Sequence, residues 1–196
     1  MTRITTPERA GRRLRPLALP LAAALSTALI LSPLAGGADA TKDTPRGAAE
    51  LQPFKQQLMG ALLQGMQAGP GKAVEACNLQ APEIAAALST EGVRVGRTSH
   101  RLRNPDNAGP DWATAVLNDY LADPGARAPR TVALDDGREG YVEPILTQPL
   151  CLACHGSGLS EPVAETLAEL YPEDQATGFD TGDLRGVFWV SYPADG

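Results

Sequence analysis

Histidine occurs twice and cysteine three times in this chain of 196 residues, aromatics make up only 5% of it, and no basic run follows Arg15. Each scarcity excludes something. No Ser-His-Asp set, second metal cluster or phosphate-binding glycine loop is visible, so the chain does not read as an enzyme. Residues 1–40 hold five Arg and two acids. Without them 12 basic residues face 21 acidic ones, a net charge of −9. An acidic, aromatic-poor surface is a poor match to nucleic acid. It suits a positively charged protein partner, or it is simply a solvated surface.

Three of those five rare residues fall within Cys151-Leu152-Ala153-Cys154-His155. The spacing C-x-x-C-H is the attachment pattern of c-type haem. Two thiols add across the porphyrin vinyl groups, and the adjoining imidazole serves as an axial iron ligand. The competing readings, a structural disulfide or a thioredoxin-like pair, need only C-x-x-C. The expected cofactor is one covalent haem c on Cys151 and Cys154, with His155 on the iron.

The first forty residues resemble an export signal. Arg3, Arg9, Arg12, Arg13 and Arg15 precede an apolar stretch from Leu17 to Leu34, and Ala38-Asp39-Ala40 offers small residues for cleavage. The expectation is a signal peptide over 1–40 and a single haem domain over 41–196, exported to the periplasm. An uncleaved membrane anchor is the alternative, since 17–34 is about the minimum span of a bilayer. Pro20, Pro33 and the small-residue end favour cleavage.

From Ala48 to Gln67, Leu51, Phe54, Leu58, Leu62 and Met66 recur at helical spacing, and Gly69-Pro70-Gly71 ends that helix. Further helices are predicted over 72–78 and 82–89, separated around Pro82. Asp111 is read as the cap of a helix over 112–122, and another is predicted over 162–170. Alternation marks a strand near 93–99, two more are read near 130–135 and 140–147 around a hairpin at Asp135-Asp136-Gly137, and Val187-Phe188-Trp189-Val190 is rich in strand formers. The mixture predicts an α+β fold with a mainly antiparallel sheet.

Candidates for the other axial position are few: Cys77, His100, Met59 and Met66. Both Met residues fall inside the first predicted helix, where they are readily core filling. Cys77 has no cysteine left to pair with, and is either a small buried hydrophobe or a ligand beside the small Ala73 and Ala76. His100 stands between arginines that disfavour an imidazolium, and a neutral imidazole can ligate iron. Arg94, Arg97, Arg101 and Arg103 suit haem propionates, or internal salt bridges and a solvated strand edge.

Four stretches carry a resemblance to the PAS-like, monohaem c-type cytochrome domain family, long catalogued as a domain of unknown function. They are Ala73-Val74-Glu75-Ala76-Cys77; Arg97-Thr98-Ser99 through Arg103-Asn104-Pro105; Cys151 through Gly156; and Tyr171-Pro172 with Ala176-Thr177-Gly178-Phe179 and Gly182-Asp183-Leu184-Arg185-Gly186. The resemblance implies that Cys77 and His155 hold the iron between them. It also implies a PAS-like antiparallel sheet of about five strands with flanking helices. Gly109, Ala113 and His100 depart from the family's commoner residues.

Thiolate ligation would lower the reduction potential relative to His/Met. Two function classes follow: a redox or gas sensor, with a small gas ligand and a separate signalling partner, or a periplasmic electron-transfer cytochrome with a redox protein partner.

Overall fold

A computed structural model describes residues 44–194. The expected signal peptide, its cleavage point and the membrane-anchor alternative lie outside the described residues. No helix among the described residues is long and apolar enough to cross a membrane.

Helix α1 (Arg46–Ala68) forms where Leu51, Phe54 and Leu58 recur on one face, and all three are buried. It stops at Gly69, whose φ of 122° suits only glycine, and Pro70 opens α2 (Pro70–Leu88) at its first position. The break expected around Pro82 does not occur. One helix runs through it, because Ala81, Ile84, Ala85 and Leu88 pack into the same core as α1 and hold the register despite the missing N–H.

Helix α3 (Asp111–Ala122) begins at the expected cap residue. Pro110 takes the cap position, no side chain bonds there, and Asp111 favours the first turn through its charge. A short turn α4 (Leu152–His155) and α5 (Glu161–Leu170) complete the helices used below.

The strands are β1 (Arg94–Thr98), β2 (Arg130–Ala133), β3 (Arg138–Leu146) and β4 (Leu184–Pro193), in spatial order β1-β4-β3-β2 with every pair antiparallel. The fold is α+β. The sheet has four strands, which corrects the count of about five implied by the resemblance. All four predicted strand segments form. The stretches 99–110 and 171–183 are instead held by turns and by arginine contacts to backbone carbonyls.

Period-two alternation divides the core. Tyr141, Val190 and Tyr192 face α1 and α2, whereas Val142 and Val187 face Ala113, Val116, Leu117 and Tyr120 of α3. A third cluster joins α2 to α5 through Val74, Val163, Leu167 and Tyr171.

One irregularity positions the site. Ile145 pairs with Gly186, but the next residue, Leu146, pairs with Leu184, so Arg185 is an extra residue in β4. Leu184 and Val187 consequently both face α3, and Arg185 projects to the opposite side. Gly186 has φ 157°, and a Cβ there would lie 2.2 Å from the Thr98 carbonyl oxygen. Only glycine lets β1 approach so closely.

Candidate functional site

A cleft opens between α1, α2, the α1-facing side of the sheet, the segment after β1, and α4. It contains about 1290 Å³ of space, its open mouth included. Leu58, Leu62, Ala73, Val74, Ile145 and Phe188 supply apolar wall. Cys77, Cys151, Cys154 and His155 line the same cleft. Residues distant in the chain and named from spacing or resemblance thus come together.

The C-x-x-C-H motif starts on a 3-10 turn, Pro149–Cys151, that runs directly into α4. The Gln148 N–H points at Cys151 Sγ at 3.3 Å. Cys154 packs beside Val74 and Val163, and burial pushes its thiol up in spite of Arg103.

His155 is held from behind by residues 174–179. Its Nδ1 lies 2.7 Å from the Ala176 carbonyl oxygen, and its own carbonyl accepts from the Phe179 N–H at 2.9 Å. Donation from Nδ1 to Ala176 leaves the lone pair on Nε2, the tautomer a metal ligand needs. Burial, then the charges of Arg185 and Arg103, push the imidazole down to about 2, so the ring is neutral.

Arg103 anchors this arrangement. Its guanidinium donates to Asp174 Oδ2 at 3.0 Å, to the Cys154 carbonyl at 2.6 Å and to the Ala176 carbonyl at 3.2 Å. The ion pair is largely shielded from solvent, with side chains 12% and 9% exposed. Asp174 in turn accepts from the Ala176 N–H at 2.7 Å.

The other candidates separate clearly. His100 does not line the cleft; it is exposed and meets Phe179 edge to face. Met59 and Met66 reach the cleft from α1, and Met59 is 50% exposed. Arg101 is engaged by the Gln175 and Thr177 carbonyls and lies over Phe179. Arg94 is exposed and donates to the Val93 carbonyl. Arg97 remains a cleft residue.

Arg185 was not among the expected site residues, although it lies in one of the quoted stretches. Its Nε is 3.2 Å from His155 Nδ1. Burial, then Arg97 and Arg103, push its guanidinium down to about 9. The signal that could have found it is the following Gly186, which marks a bulge in an otherwise apolar strand.

Among the described residues, no three His, Cys, Asp or Glu side chains cluster tightly enough to chelate a bare ion. The donor set of one imidazole, one separate thiol and a C-x-x-C pair on an apolar slot suits iron whose remaining donors come with a flat macrocycle. The cleft fits such a group.

A family model described as Tll0287-like matches residues 22–193. A solved structure described as "Crystal structure of the cyanobacterial heme-protein Tll0287" is 27% identical, with a TM-score of 0.55. The match covers 75% of this chain and 94% of that one. No curated protein matches.

Proposed function

We propose, from the premise that this chain belongs to the Tll0287-like family, that it is an exported haem c protein whose iron is held by His155 and Cys77 and which acts as a redox or gas sensor. The single observation that carries this reading is the meeting of Cys77 with Cys151, Cys154 and His155 on one apolar cleft. The likeness to a solved haem protein supports the choice of cofactor. The PAS-like character of the fold belongs to this reading too, supported by an antiparallel sheet with helices packed on it.

When bound, the haem supplies a one-electron iron couple and a metal to which a small gas can bind. The chain's own residues do the rest. Cys151 and Cys154 fix the macrocycle, and Ala176 orients His155 through Nδ1. Cys77 rides on α2, which packs on α1, α5 and the sheet, so a change at its sulfur would be felt across three elements. A separate signalling partner would read that change. Export is supported by the charged and apolar pattern of residues 1–40.

Electron transfer to a redox protein partner is the second reading. Leu150 and Met59, at the cleft wall, are 42% and 50% exposed. Such an apolar rim could bring a partner close to the cofactor.

Haem staining after denaturing electrophoresis tests attachment, and a colourless product from cells with working maturation machinery sinks the proposal. Replacing Cys77 with Ala should leave the stain and change the ferric absorption and electron spin resonance spectra. Unchanged spectra, with changes in Met66→Ala or His100→Ala instead, would reassign the ligand. Gas binding to the ferrous protein favours sensing; unchanged coordination in both redox states with fast exchange favours electron transfer.

A further inference from the structure

The cleft wall is electrostatically one-sided. Its charged side chains among the described residues are Lys55, Arg97, Arg103 and Arg185, and no Asp or Glu lines it. The chain as a whole is acidic, so this concentration of cations is local and specific. A cation turned into an apolar slot needs a counter-charge.

Two of the four already have one. Lys55 pairs with Glu143, and Arg103 pairs with Asp174 while its remaining N–H groups take backbone carbonyls. Arg97 and Arg185 do not. Neither has a carboxylate within salt-bridge distance among the described residues. The Arg185 side chain lies against His155 Nδ1, whose proton goes to Ala176, so Arg185 meets an N–H there rather than an acceptor.

Their placement is built into the sheet. Arg97 lies opposite Phe188 across β1 and β4, on the face that lines the cleft. Arg185 reaches that side only because the bulge before Gly186 reverses its direction. Two guanidinium forks, one from each of two adjacent strands, therefore converge on a pocket with a broad apolar wall from Leu58, Leu62, Ala73, Val74, Ile145 and Phe188. A ligand complementary to this wall has a flat apolar body with two carboxylates on one edge.

We propose that Arg97 and Arg185 form a carboxylate clamp that takes the two propionates of the haem, an assignment that rests on the haem reading above. Arg94, Arg101 and Arg103, plausible from the sequence, have no part in it, being exposed or already engaged.

The test uses the full-length protein with its covalent haem. Resonance Raman spectra are compared for the wild type, Arg97→Gln, Arg185→Gln, Arg185→Lys and Arg94→Gln. In Arg97→Gln and Arg185→Gln the propionate-bending bands should fall in frequency as charge-assisted hydrogen bonds are lost. Arg185→Lys should recover part of the shift, and Arg94→Gln should match the wild type. If Arg185→Gln does not fold, Arg97→Gln and Arg185→Lys carry the comparison. Bands that coincide with the wild type in both clamp variants, in protein that still stains for haem, overturn the clamp alone. A wild-type protein that does not stain overturns the haem reading and the clamp together.

Discussion

Arg103 shows how much one side chain can organise. It joins the segment after β1 to the motif turn and to the stretch behind His155, through one carboxylate and two carbonyls. Removing one partner of a buried ion pair leaves an uncompensated charge, at a cost of about 3–5 kcal/mol. Arg103→Ala should therefore lower the unfolding free energy by about 3 kcal/mol or more, measured by denaturant titration. Asp174→Asn should lose less, because the carbonyl contacts of Arg103 survive. The residues proposed to bear the chemistry were named from spacing or from the resemblance, and Cys77, Cys151, Cys154 and His155 all reach one cleft. Arg185 was not named. A side chain's direction along a strand is read from alternation, and one extra residue reverses it without altering composition.

Elements were legible where burial drives periodicity and less so where neighbours override local preference. Leu51, Phe54 and Leu58 marked α1 because that stripe is also its buried face. Pro82 suggested a break in α2, but packing on both sides of it keeps the helix whole. The ring is exposed and removes a backbone hydrogen bond. Pro82→Ala should consequently raise stability, by up to about 3 kcal/mol in a helix interior. Its melting temperature should rise by several degrees. An unchanged melting temperature would mean that α2 has already adapted its backbone to the proline. The sheet offers the complementary case. Gly186→Ala should destabilise strongly, since the added methyl would meet the Thr98 carbonyl at 2.2 Å. Its circular dichroism melting curve should move to lower temperature.

At the scale of the whole molecule, tyrosines tie the core to the alkaline limit of stability. Burial, reinforced by Glu143, pushes the Tyr141 hydroxyl up from 10.0 to about 12. Tyr120 and Tyr192 move in the same direction, again chiefly through burial. A hydroxyl whose folded-state value is raised favours folding while neutral. Its contribution is fully present below the unfolded value near 10 and is lost as pH rises toward 12. Unfolding free energy should therefore fall over that window, in step with the absorbance of tyrosinate. Tyr141→Phe should flatten the decline. An equally steep decline in Tyr141→Phe would assign the alkaline limit to other groups.

Cys77 and His155 stand roughly 80 residues apart in the chain, one in the second helix and the other just before the fifth. If iron joins them, the metal is also a cross-link, closing a loop that contains most of the sheet. The unfolded chain then loses conformational freedom as it would with a disulfide of the same span, worth roughly 4–5 kcal/mol in a loop-entropy treatment. Breaking the iron–sulfur bond would open that loop while the thioethers kept the cofactor attached. Coordination and mechanical restraint would then change in a single event. Cys77→Ala should unfold at lower denaturant concentration than the wild type even with its haem fully attached. A midpoint unchanged by the substitution would show that iron does not tether the two halves.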